Sequence, residues 1–158
     1  MFNILYAVKI ERQLVGVDLN SANLIDLIHE RHIQLRKLTE QIWNERSEMN
    51  ISNSEWYILS KIYQEKGETT ISNVTKRVHV TRQATHKFIK LLEEKKLVEV
   101  KNVEHDKRVK AVKLTELGIK CMNENNAIKK ELENNIAERL GEDQVNEFKK
   151  RLMMDWGI

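Results

Sequence analysis

Five polar side chains between residues 82 and 90 have the chemistry that recognises a nucleic acid. They are Arg82, Gln83, His86, Lys87 and Lys90. An arginine can donate two hydrogen bonds to the edge of guanine, a glutamine can pair with adenine, and lysines can meet phosphates. Thr81 precedes them and can cap a helix, whose first backbone amides would hold a further phosphate. The alternative is a solvated polar helix face, so the interpretation depends on the element that carries these residues.

A second polar cluster lies further along the chain. Asp106, Lys107 and Arg108 fall in a polar stretch, residues 102–108, between two segments of alternating apolar and polar residues. Such alternation predicts two half-buried strands, so the stretch would be the tip of a β-hairpin. Lys107 and Arg108 could reach a DNA minor groove or its phosphates, and a narrow groove has an enhanced negative potential that favours arginine. An ordinary exposed salt bridge between Asp106 and Arg108 is the simpler alternative.

Positive charge is concentrated in the segment that contains both clusters. Residues 76–113 contain 12 lysines and arginines against 5 aspartates and glutamates, a net charge of +7. The remainder of the chain therefore carries −4, since the total is +3. A basic segment in an otherwise acidic protein is expected of a surface that binds a polyanion, although a solvated lysine-rich face would have the same composition.

Hydrophobic periodicity predicts that helices carry most of the chain. The absence of proline and the presence of only five glycines in 158 residues favour long helices. Ser21, Thr81 and Thr115 are suited to cap three of them. The predicted helices lie at 21–49, 55–67, 71–78, 81–95, 115–141 and from 142 onward, and the predicted strands at 97–101 and 109–114. We therefore expect a mainly α protein with a small β-hairpin.

A short helix, a tight turn, a longer helix and a hairpin follow one another in the order of a winged helix-turn-helix. In that architecture the second helix of the pair enters the DNA major groove, and the hairpin forms the wing. Here the second helix of the pair would be the one that carries Arg82 and Gln83. The long first helix and the last two helices have narrow apolar stripes, so each needs a partner from the same chain or from another.

Residues 54–118 resemble the MarR family of transcriptional regulators. Three segments carry the likeness: Glu55–Leu59, Leu91–Val98, and the stretch from His105 to Arg108 with Leu114–Gly118 after it. The resemblance implies that Arg108 touches DNA and that Asp106 orients it. It also implies a homodimer with interleaved terminal helices, a near-palindromic DNA operator, and repression that is released by a small aromatic or phenolic effector.

The resemblance divides the chain into three parts. Residues 51–114 would form the DNA-binding winged helix-turn-helix, and residues 21–50 with 115–158 the helical dimerisation region. Residues 1–20 would be an N-terminal extension that departs from the family pattern, and its role is not assigned. No effector-binding residue is assigned either.

Other classes of function find little support in the sequence. The sequence contains no glycine-rich phosphate loop, nucleophile elbow or His–Glu metal motif. We therefore expect that the protein is not an enzyme and has neither a catalytic residue nor a cofactor. Cys121 is a lone cysteine in an apolar stretch, and His29 with His32 lacks further metal ligands. No apolar run could span a membrane, and we expect a cytoplasmic protein. The rival function is a protein-binding adaptor that uses the winged helix without DNA.

Overall fold

The computed structural model describes residues 22–103 and 106–158, without the side chain of Lys107. The predicted extension at residues 1–20 lies outside this range, as do residues 104 and 105. The chain divides into two compact units, one ending at Arg46 and the other spanning Ser47–Ile158. No helix in the described ranges is long and apolar enough to cross a membrane.

The first unit contains one long helix, α1, Leu24–Arg46. Asn23 stands before it, and its Oδ1 accepts a hydrogen bond of 3.0 Å from the backbone N–H of Asp26, which is the geometry of an N-cap. Three apolar residues towards the end of α1 are buried and three towards its start are exposed. The buried ones are Leu38, Ile42 and Trp43, and the exposed ones are Leu24, Ile25 and Leu35.

The second unit contains the remaining described helices and strands. They are α2 Asn53–Gln64, β1 Thr69–Thr70, α3 Ile71–Lys76, α4 Arg82–Glu94, β2 Val98–Val103, β3 Asp106–Leu114, α5 Glu116–Leu140 and α6 Glu142–Met153. Their apolar core includes Ile58 and Leu59 of α2, Leu92 of α4 and Val112 of β3, each 0% exposed. The mainly α fold with a small β-wing is thus as the sequence predicts.

The wing is a three-stranded antiparallel sheet in the order β1-β3-β2, whereas the sequence predicts a two-stranded hairpin. Thr69 and Thr70 pair with Val112 and Ala111 of β3. A strand of two residues is too short to show alternation, so the pattern could not reveal it. The strands β2 and β3 also extend into the predicted polar tip, since Val103 pairs with Asp106.

Each of two helices is followed, two residues after its end, by a lysine whose backbone lies in the left-handed region. Lys66 has φ 56° after α2, and Lys96 has φ 59° after α4. The sequence predicts that α2 reaches Gly67, but it ends earlier because Lys66 takes the left-handed conformation instead of the glycine. After α4, the N–H of Leu97 donates to the carbonyl of Leu92 at 2.9 Å and that of Lys96 to Glu93 at 2.8 Å, which is a Schellman ending.

Candidate nucleic-acid interface

Helix α4 separates a packing face from an exposed polar face. Thr81 is its N-cap and accepts a 3.2 Å hydrogen bond from the N–H of Ala84. Thr85, Ile89 and Leu92 are buried. The exposed face carries all five candidate residues, Arg82, Gln83, His86, Lys87 and Lys90. The helix therefore presents them together, as its periodicity predicts.

The beginning of α4 is electropositive. Its first turn contains no acidic residue, and Arg82 is its first residue. The first backbone N–H groups and the helix dipole add partial positive charge at this end, where an anion is stabilised. Further along, Lys90 lies 3.9 Å from the Glu94 carboxylate in an exposed pair. Such pairs contribute little, so Lys90 remains able to turn towards a phosphate.

In the wing, Asp106 and Arg108 lie on strand β3 rather than in a turn. Asp106 Oδ1 accepts a hydrogen bond of 2.9 Å from the backbone N–H of Arg108 and lies 3.5 Å from its Nε. The Arg108 side chain is nevertheless 94% exposed. The carboxylate thus accepts from the backbone of Arg108 and lies near its Nε, while the guanidinium faces solvent. Lys107, the third candidate in the wing, has no described side chain.

The base of the wing is fastened to the start of α5. Thr115 Oγ1 donates a 2.7 Å hydrogen bond to the Lys96 carbonyl, and the Thr115 N–H donates to the Leu97 carbonyl at 3.1 Å. A Cβ at Gly118 would lie 2.0 Å from that same Leu97 oxygen. Only glycine allows this approach without displacement of backbone. The connection fixes where the wing begins relative to α4 and α5.

Helix α2 contacts the helix-turn-helix through polar groups that the sequence analysis did not single out. The N–H of His79, in the turn, donates to the Tyr57 hydroxyl at 3.3 Å. Arg77, the C-cap of α3, forms an ion pair with Glu65, the C-cap of α2. These partners are 22 and 12 residues apart in the chain. Helical periodicity reports neighbours three or four residues apart, so it contains no signal for such pairs.

A partly buried ion pair joins the start of α2 to the end of α4. Glu55 Oε1 lies 2.6 Å from Lys95 Nζ, and the same nitrogen donates to the Asn50 carbonyl at 2.6 Å. The other oxygen, Oε2, accepts from the N–H of Ser52 at 2.9 Å and from its hydroxyl at 2.7 Å. Burial would raise the pKa of Glu55, but the hydrogen bonds from Lys95 and Ser52 outweigh it and the pKa is lowered.

The structure does not support a metal site or a reactive cysteine among the described residues. Among the described residues, no three His, Cys, Asp or Glu side chains form a group that could hold a metal ion. Cys121 is a buried free thiol, and its burial raises its pKa, which disfavours the reactive thiolate.

Comparisons with known proteins agree with this architecture. Residues 49–109 match the model of the MarR family. A crystal structure of the reduced form of MarR from E. coli is similar with a TM-score of 0.71 and 23% identity, over 83% of this chain and 94% of that chain. A crystal structure of an S. aureus MepR–DNA complex has a TM-score of 0.68 and 23% identity, over 84% and 95%. No curated protein is significantly similar to the chain in sequence.

The family match covers α2, α3, α4 and most of the wing, which are the elements that position the candidate side chains. The structural similarity extends over most of the chain. Residues 49–109 are therefore a winged helix-turn-helix that matches the model of the MarR family, and the solved structures share its fold.

Proposed function

We propose that this protein regulates transcription by binding double-stranded DNA as a homodimer. The observation that carries the proposal is the exposed face of α4, which presents Arg82, Gln83, His86, Lys87 and Lys90 on a helix packed through its opposite face. The helix enters the major groove, where Arg82 and Gln83 read base edges and the lysines meet phosphates. Thr81 and the first amides of α4 hold another phosphate.

The wing adds a contact beside the major groove. Asp106 accepts a hydrogen bond from the backbone N–H of Arg108, and the exposed guanidinium enters the adjacent minor groove. Lys107 is assigned to phosphate contact there. The S. aureus MepR–DNA complex, which is similar in fold, supports DNA as the partner of this architecture.

The dimer is supported by apolar side chains that each unit leaves exposed. In α1 these are Leu24, Ile25 and Leu35, and from the end of α5 onward they are Leu140, Phe148, Leu152, Met153, Met154, Trp156 and Ile158. Helix α6 has no buried residue. A second copy of the chain would cover these surfaces. The two copies of α4 would then read a near-palindromic operator with half-sites about one helical turn, roughly 34 Å, apart.

We extend the proposal to repression that is released by a small aromatic or phenolic effector. In this role the protein acts in the cytoplasm, where it blocks a promoter until the effector lowers its affinity for DNA. Screening such compounds against the protein–operator complex tests the extension, because a true effector releases the operator at a concentration that leaves the protein folded.

A binding titration tests the central proposal. Duplexes enriched from a randomised pool, and the DNA upstream of the protein's own gene, are compared with a random duplex at two salt concentrations. We expect tight binding that prefers the selected duplex and weakens steeply with salt, because phosphate contacts release counterions. The adaptor alternative predicts no binding to any duplex and no enrichment from the pool.

A further inference from the structure

The ion pair between Glu55 and Lys95 joins the start of α2 to the C-terminal end of α4. Glu55 lies in the first turn of α2, and Lys95 is the C-cap of α4. The two residues are 40 positions apart in the chain, and the Glu55 side chain is only 5% exposed. With three further hydrogen bonds to Asn50 and Ser52, the pair fastens one end of α4 to the start of α2.

The opposite end of α4 carries the residues assigned to base reading. Thirteen residues at 1.5 Å per residue make α4 about 20 Å long. A tilt of roughly 10° about its C-terminal end would therefore move Arg82 by about 3 Å. A base-edge hydrogen bond tolerates roughly 0.5 Å of variation in donor–acceptor distance. Small rotations at Lys95 are thus sufficient to break the contacts of Arg82 and Gln83 with bases.

Phosphate contacts respond differently to such a tilt. Lysine is a flexible point charge that can follow a displaced phosphate, whereas a bidentate arginine contact requires a defined plane and distance. Loosening α4 should consequently reduce discrimination between sequences more than it reduces general affinity for DNA.

We infer that Glu55 and Lys95 are positioning residues for operator recognition, which set the direction of α4 without touching DNA. The inference rests on the proposed function, since it assigns these residues a part in DNA reading. Glu55 is buried and Lys95 Nζ is engaged by Glu55 and Asn50, so neither side chain is arranged to contact a phosphate.

Four variants of the full-length chain test the inference. Glu55→Gln removes the ion pair but retains a residue that can complete the capping box with Ser52. Lys95→Met keeps the length of the side chain and removes its charge, and Lys95→Arg keeps the charge as the rescue. Lys120→Met is the matched control, because Lys120 is an exposed lysine in a surface pair with Glu124 on α5.

The readout is the ratio of affinities for the selected operator and for a random duplex, measured where circular dichroism shows each variant to be folded. We expect Glu55→Gln and Lys95→Met to lower the ratio about tenfold, the scale of one good base contact, with random-duplex affinity changed less than about twofold. Lys95→Arg and Lys120→Met should stay within about twofold of the wild-type ratio.

Two results would overturn the inference and leave the proposed function standing. One is that Glu55→Gln and Lys95→Met are both folded and keep the wild-type ratio of affinities. The other is that they lose affinity equally for operator and random DNA, which would indicate a structural role alone. A wild-type protein that does not distinguish any selected duplex from random DNA would overturn the proposed function itself, and the inference with it.

Discussion

Arg82 is the first residue of α4 and is exposed beside the electropositive helix start. We expect Arg82→Ala to weaken operator binding by about 1–3 kcal/mol and to relax the preference at one base position, because a bidentate guanine contact is lost. Titration against operators that are changed one base pair at a time measures both effects. Lys90→Ala is the comparison, and it should weaken binding to all duplexes alike because Lys90 is assigned to phosphate.

Equal losses on operator and random DNA after Arg82→Ala would contradict its assignment to a base. A loss of base preference after Lys90→Ala would likewise reassign Lys90 from phosphate to base reading. The two variants together separate positioning on the DNA backbone from reading of the sequence.

Glu55 makes the free energy of unfolding depend on pH. Its folded-state pKa is below the ordinary value of 4.5, so its contribution is complete above that value and is lost as pH falls through the lower folded-state pKa. At neutral pH we expect the free energy of unfolding of the wild type to exceed that of Glu55→Gln by about 1–3 kcal/mol, which is the scale of hydrogen bonds to a charged group. The difference should shrink in urea titrations below about pH 4.

The control for this measurement is Glu124→Gln, which removes the carboxylate of an exposed pair with Lys120. An exposed pair contributes about 0–1 kcal/mol, so this variant should stay near the wild type. A stability gap for Glu55→Gln that persists unchanged at acidic pH would mean that its carboxylate charge is not the source of the stabilisation.

At the scale of elements, the wing should contribute affinity through Arg108. We expect Arg108→Ala to weaken binding to operator and random duplexes, because an exposed guanidinium on β3 is removed from the minor groove. Titrations at low salt, where charge contacts are strongest, make the effect largest. Lys120→Ala, on α5, is the control for loss of one exposed cation. No change on either duplex would remove the wing from the DNA interface.

The junction between the wing and α5 should be intolerant of a side chain at Gly118. Alanine normally favours a helix over glycine, but here its Cβ would lie 2.0 Å from the Leu97 carbonyl oxygen. We expect Gly118→Ala to lower the free energy of unfolding by about 1–3 kcal/mol or more, because backbone must move. Gly67→Ala is the matched control, since no atom lies within 4 Å of its Cβ position. Equal stability of the two variants in urea would contradict the contact.

At the scale of the whole molecule, the exposed apolar residues of α6 should decide the oligomeric state. Phe148 is 55% exposed on a helix that has no buried residue. We expect Phe148→Glu to convert a dimer to monomers in sedimentation equilibrium, because a charge would be buried without a partner at the interface. The monomer should also bind the operator more weakly, since its two half-sites are no longer linked.

Asn146→Glu places the same charge on a polar, exposed position of α6 and controls for charge alone. It should remain dimeric at the concentrations where Phe148→Glu dissociates. A Phe148→Glu protein that stays dimeric would move the interface away from this part of α6.

Local patterns in the sequence determined the polar face of α4 and the approximate course of the helices, although Asn23 and not the predicted Ser21 caps α1. Thr115 and Gly141 flank α5, and Thr81 caps α4, where the sequence predicts them. These features depend on residues three or four positions apart, which interact within one helix regardless of the rest of the chain. The division of α4 into a packing face and an exposed polar face is therefore contained in the order of residues.

Only the tertiary structure decided the features that join distant segments. It pairs Thr69 with Val112, places Arg108 on a strand, and brings Glu55 to Lys95. Each depends on a backbone or side-chain contact between residues far apart in the chain, for which periodicity provides no register. The sequence thus determines which groups the proposed DNA interface contains. The packing of α2, α4 and the wing decides where those groups stand.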